Sequence, residues 1–130
     1  MADEAILRVR RNDPIDFKCA DGTAIAKGTL LQLTGDRTVT ASSADGDFFI
    51  GICGRDKIAN DGRTSVPVFT DGIFDIVTDG TTLAQPQKLS GANTITDADS
   101  DTVANKSEIV GMGLETGSGS EVIQVDIGIR

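Results

Sequence analysis

A strand phrase occurs twice in this chain. Ile50-Gly51-Ile52-Cys53-Gly54 returns as Val110-Gly111-Met112-Gly113 at an offset of 60, and a polar turn follows in both places. Two further matches keep the order: GTAIA (Gly22–Ala26) with GTTLA (Gly80–Ala84) at an offset of 58, and SVPVF with VIQVDI, where Val66 and Val68 match Ile123 and Val125 at an offset of 57. Each half thus runs from a Gly-Thr turn through short strands and a long variable loop to an apolar-Gly strand, a turn and a valine-alternating strand. Repeating a strand unit completes sheets that one unit would leave open. Gly51 and Gly111 then fall inside strands, where a missing side chain permits a bulge or a close backbone crossing. Close approach to a ligand is the alternative role for these glycines.

Strand-like runs alternate with turn signals along the whole length. The runs are Ile6–Arg10, Ile15–Cys19, Leu30–Leu33, Val39–Ala41, Phe48–Cys53, Ser65–Phe69, Ile73–Val77, Gln87–Leu89, Thr94–Thr96, Ile109–Leu114 and Val122–Ile129. Asp-Gly pairs at Asp21-Gly22, Asp45-Gly46, Asp61-Gly62, Asp71-Gly72 and Asp79-Gly80 supply the positive φ of tight hairpins. No segment keeps a helical period for three turns; Ala98–Ile109 is the best place for a single helical turn. The expected fold is all-β, a small antiparallel β-barrel or sandwich (β-tulip-like) with an extended N-terminal arm and an internal two-fold repeat. The arm is residues 1–13 and the single β-barrel domain residues 14–130, with half-repeats over about 20–78 and 79–130. Whether the halves form one barrel or two lobes is left open by the sequence.

Composition removes several function classes. The chain has no histidine, the commonest acid–base group at neutral pH and the commonest zinc ligand. Its formal net charge of −8 disfavours direct nucleic-acid binding, which needs Lys and Arg against phosphates. No apolar run reaches membrane-spanning length, and the N-terminus lacks the apolar core of a signal peptide, so no membrane is expected and assembly in a host cytoplasm is. Cys19 and Cys53 lie in apolar strand contexts and read as buried free thiols, with a disulfide as the alternative. The reading is non-enzymatic. A hydrolase working with carboxylates alone is the weakest of the alternatives.

The first dozen residues stand outside the repeat. In an extended AILRVRR, Leu7 and Val9 point one way and Ile6, Arg8 and Arg10 the other. A basic, apolar arm (Ile6, Leu7, Arg8, Val9, Arg10 and Arg11) on an acidic chain is a candidate capsid or subunit contact, pairing with another subunit's sheet edge. The alternative is an ordinary first strand with a solvated basic edge.

One stretch imitates a calcium loop. Asp97, Asp99, Asp101, Asn105 and Glu108 occupy its first, third, fifth, ninth and twelfth places. Thr102 stands where the loop turns on Gly, and the flanks are strand-like, so a solvated acidic loop is preferred and weak calcium is the remaining metal option. No other cofactor is expected. The glycines of Gly117–Glu121 precede no helix and form a hairpin tip.

Ala20–Val39 (ADGTAIAKGTLLQLTGDRTV), Phe69–Ile76 (FTDGIFDI) and Ile109–Gly128 (IVGMGLETGSGSEVIQVDIG) together resemble the small β-barrel capsid decoration proteins, also called cement or head-stabilising proteins, of tailed phages and related viruses. In their closing phrase, Gly113 replaces a small Ala. The resemblance implies a structural virion protein that binds the outer surface of the major-capsid lattice and stabilises the head, with the major capsid protein and itself, as a homotrimer, for partners. It also implies capsid contact through the arm, here Ile6 to Arg11. The alternative function is a non-catalytic ligand- or calcium-binding β-module on a larger particle, though the lack of Trp and Tyr removes the usual sugar-stacking platforms.

Overall fold

The computed structural model describes residues 4–44, 47–80, 86–98 and 109–128. These residues form eleven strands and no helix: β1 Ile6–Val9, β2 Ile15–Lys18, β3 Leu30–Gly35, β4 Thr38–Ala41, β5 Phe49–Cys53, β6 Ser65–Phe69, β7 Gly72–Gly80, β8 Pro86–Gly91, β9 Thr94–Asp97, β10 Ile109–Gly113 and β11 Glu121–Ile127. Every run read as a strand is one, and the all-β expectation holds. All but the two end residues of the candidate helical turn at Ala98–Ile109, the Asp45-Gly46 turn and most of GTTLA lie outside the described residues.

The two halves close separately. Strands β2-β4-β3-β5-β6 form one ring, and β7-β9-β8-β10-β11 form a second in the same order. The first ring begins at Ile15 and the second at Gly72, so the halves divide at Thr70–Asp71. Pairing is antiparallel except at one place in each ring, β2 with β4 and β7 with β9. A ring with an odd number of strands cannot alternate direction all the way round, so each closure needs a parallel pair.

The repeated glycines are explained by this closure. A Cβ on Gly51 would strike the carbonyl oxygen of Phe69, and one on Gly111 the carbonyl oxygen of Asp126. Phe69 and Asp126 are 57 residues apart, the same offset that relates Val66 and Val68 to Ile123 and Val125. The phrase is written twice because each ring needs the same close crossing of neighbouring strands.

One apolar cluster fills the first ring: Cys19, Ile25, Leu31, Val39, Cys53, Val66 and Val68. A larger cluster runs through the second ring and across to Leu30, Phe49, Ile52 and Phe69 of the first, so the rings share apolar packing. Strands β5 and β10, which hold the same place in the two rings, meet there. The rings of Phe69 and Phe74 pack edge to face with centroids 5.9 Å apart. Cys19 and Cys53 are both buried and free.

Candidate interaction surface

The arm is a docked strand. β1 runs antiparallel to β7, with Ile6 opposite Asp75, Leu7 opposite Phe74 and Val9 opposite Ile73. The amide of Ala5 donates to the carbonyl of Gly28 at 2.8 Å, which ties the start of the arm to the first barrel. Leu7 packs on the shared core as its alternation predicts. Val9 does not share that face, and is 47% exposed. The register shifts between Leu7 and Val9, and a bulge there turns the strand so that Val9 leaves the core.

The basic character of the arm is spent within the chain. Arg8 Nε donates to Asp75 Oδ2 at 2.6 Å, and Arg10 Nη2 to Asp13 Oδ1 at 2.6 Å. The Arg10 guanidinium also lies 5.7 Å from the Phe69 ring centroid. Arg11 forks onto the nearly buried Asp126 through two bonds of 2.6 and 2.7 Å and reaches Asp71 at 3.3 Å. Its bonds to Asp126, against a smaller desolvation effect, hold the guanidinium still more firmly protonated than usual. Asn12 Nδ2 completes the grip by donating to Asp71 Oδ2 at 2.9 Å. The arm's exposed surface is therefore mixed: Ile6, 57% exposed, and Val9 stand among arginines whose charges are paired within the chain but whose side chains remain exposed.

Ile6 borders a shallow recess of about 660 Å³ lined by Glu4, Ala5, Leu7, Lys27 and Asp56. A second recess, between Ala24–Ala26 and Asp56–Ile58, adjoins it at Asp56. Asp56 Oδ1 accepts from the amide of Lys27 at 2.6 Å, which fixes the wall between them. Ile58 is the most exposed large apolar residue described.

Sequence reasoning missed the charged group beneath that wall. Lys57 is buried, and its ammonium donates to the carbonyls of Asp21 at 2.9 Å and Ile58 at 3.0 Å and to Asp61 Oδ1 at 3.1 Å, with Asp21 Oδ1 a longer fourth acceptor at 3.4 Å. Burial by itself would lower the Lys57 pKa. The bonds and charges of Asp61 and Asp21 outweigh it and raise it above the ordinary value. Asp61 is held below the ordinary carboxylate value, first by the amide of Arg63, with burial opposing and Lys57 and the Ile58 amide assisting. A lysine four residues before an aspartate is too common a spacing to have singled this site out.

Of the calcium-loop residues, Asp97 is on β9 and accepts a bond from Gln87 Nε2 at 2.9 Å. Asp99, Asp101, Asn105 and Glu108 lie outside the described residues. No cluster of three or more metal-ligating residues occurs among the described ones.

No family model matches the sequence, and no curated protein matches it. Among solved structures, the N base of the head fiber gp8.5 of bacteriophage phi29 superposes with a TM-score of 0.56, over 88% of this chain and 92% of that one. The chain is similar in fold to a phage head-fiber base. At 12% identity the likeness is one of fold, and it spans both barrels.

Proposed function

We propose that this chain is a structural protein of a phage particle, one that binds the outer surface of the major-capsid lattice and stabilises the head. The observation that carries the reading is the two-barrel fold shared, nearly end to end, with a head-fiber base. The strand phrases that resemble the capsid decoration proteins agree with it, and so does an acidic surface that resists adsorption to DNA. The chain works by contact and transforms no molecule. Its partners are the major capsid protein and its own copies, as a homotrimer: identical subunits that close a three-membered ring match the symmetry of a lattice point, and many weak contacts there sum to firm retention.

The exposed surface of the arm, Ile6 to Arg11, is the proposed shell contact, with Ile6 and Val9 as its apolar anchors among the ion-paired arginines. The test is cosedimentation of the purified chain with expanded, DNA-free heads of the same virus, followed by electron microscopy. Saturable binding and new density outside the shell are expected, and deletion of residues 1–12 should abolish both. Heads that stay bare at saturating protein would refute the reading.

A further inference from the structure

The two barrels follow one plan, yet one element of it is present on only one of them. Ile15 of β2 pairs with Val68, and Phe74 of β7 pairs with Val125. Val68 and Val125 are repeat partners, so Ile15, Asp16 and Phe17 correspond to Phe74, Asp75 and Ile76. On the second barrel this edge carries β1: Leu7 lies opposite Phe74, and Arg8 bonds Asp75 at 2.6 Å. Phe74 is only 2% exposed, packed on Phe69 and in the shared core against which Leu7 also packs. On the first barrel no strand among the described residues pairs with the same edge at Pro14–Asp16, and Ile15 is 48% exposed.

The Arg37 side chain reaches over that edge. Arg37 Nη2 donates to the carbonyl of Asp16 at 3.1 Å, and its guanidinium lies 5.7 Å from the Phe17 ring centroid. The Asp16 carbonyl thus faces away from β6, outward, as an acceptor for an added strand should. At the equivalent turn of the second barrel the residue is Asn93, whose Oδ1 is turned instead to the amide of Leu30.

We propose that the Pro14–Asp16 edge is a strand-docking site whose occupant is an extended segment of another protein, built like β1. It runs antiparallel to β2, lays an apolar side chain over Ile15, sets a Lys or Arg beside Asp16, and takes the Asp16 carbonyl from Arg37. The filled edge on β7 is the template for each of these features. A second copy of this chain is a poor donor: its own β1 would have to give up its pairing with β7 and the bonds of Arg8 to Asp75 and Arg11 to Asp126. The inference rests on the duplication and is independent of the virion reading.

The test is a titration of the full, ¹⁵N-labelled chain with a blocked peptide of residues Glu4–Arg11, followed by amide shifts. Saturable shifts centred on Ile15–Lys18 are expected. Asp16→Lys should weaken binding about tenfold or more, as should a peptide with its arginines changed to glutamate. Arg37→Asn, which copies the equivalent turn, should tighten it severalfold. Shifts confined to Ile73–Asp75, the absence of saturation at millimolar peptide, or indifference to Asp16→Lys would each overturn the site. If the chain alone self-associates and Asp16→Lys returns it to monomer, the occupant is a second copy and the assignment to another protein is wrong.

Discussion

The amide of Leu30 donates to Oδ1 of Asn93 at 2.9 Å, a buried bond between the two barrels. Asn93 holds a φ of 59°, in the left-handed region that Asn tolerates better than most residues. One residue therefore turns the β8–β9 hairpin and fastens the rings together. Asn93→Ala should lose about 2–3 kcal/mol, from the stranded Leu30 amide and the strained backbone together, and Asn93→Gly about 1–2 kcal/mol. Urea unfolding distinguishes the two; equal losses would mean that the left-handed backbone contributes nothing, and a stability for Asn93→Gly equal to the parent's would mean that the hydrogen bond contributes nothing.

Gly51 and Gly111 make an internally controlled pair. Gly51→Ala and Gly111→Ala should each destabilise by about 3 kcal/mol or more, because the added methyl meets the backbone of a neighbouring strand, and at Gly51 the Val68 side chain as well. Gly62→Ala serves as the comparison for strain without collision: its φ is 85°, and nothing lies within 4 Å of the added Cβ. Thermal melts that ranked Gly62→Ala as the most damaging of the three would contradict the close-crossing account.

Asp61 gives the chain a sign of pH dependence. Its folded pKa lies below the ordinary value, so its contribution is complete above the ordinary carboxylate range and is lost as pH falls through the depressed value. Asp61→Asn should therefore be less stable than the parent near neutrality, with the gap closing on acidification. Urea midpoints measured from neutral pH down to about pH 2 report this. A gap that stayed constant would show that the charge on Asp61 is not what holds the Lys57 site.

The arm should be separable from the rings. Both barrels close without β1, so deletion of residues 1–11 should leave the far-ultraviolet spectrum of a folded β protein while lowering the melting temperature. Leu7→Ala alone should cost about 1–2 kcal/mol, as expected for a partly buried apolar side chain. Collapse of the whole fold on deletion would place β1 inside the cooperative core.

Burial pushes the thiols of both Cys19 and Cys53 up from their ordinary value, desolvation being the largest cause at each. Both line the first barrel. Alkylation at mildly alkaline pH should be slow in the native chain and fast in denaturant, with the native rate tracking the opening of that barrel. Rapid native labelling at either site would mean that the ring is not closed in solution.

Much of this protein was legible in its residues because the signals are local. Alternating apolar residues and Gly, Asp and Asn turns marked each strand, and the repeated Gly51 and Gly111 phrases marked the duplication. Tertiary structure alone decided which edges join. Ring closure depends on pairings such as Val77 with Thr94, and an odd ring imposes a parallel pair that no periodicity announces. The sequence left the arm as either a contact for another subunit or a first strand with a solvated basic edge, and only the fold brought Arg8 and Arg11 to Asp75, Asp71 and Asp126, each about sixty or more residues away. Twenty acidic residues offered many partners for Lys57, and only the fold brought Asp21 and Asp61 to it. Short-range sterics and burial write themselves into spacing along a chain; which distant charges and edges meet is set by how the strands close in space.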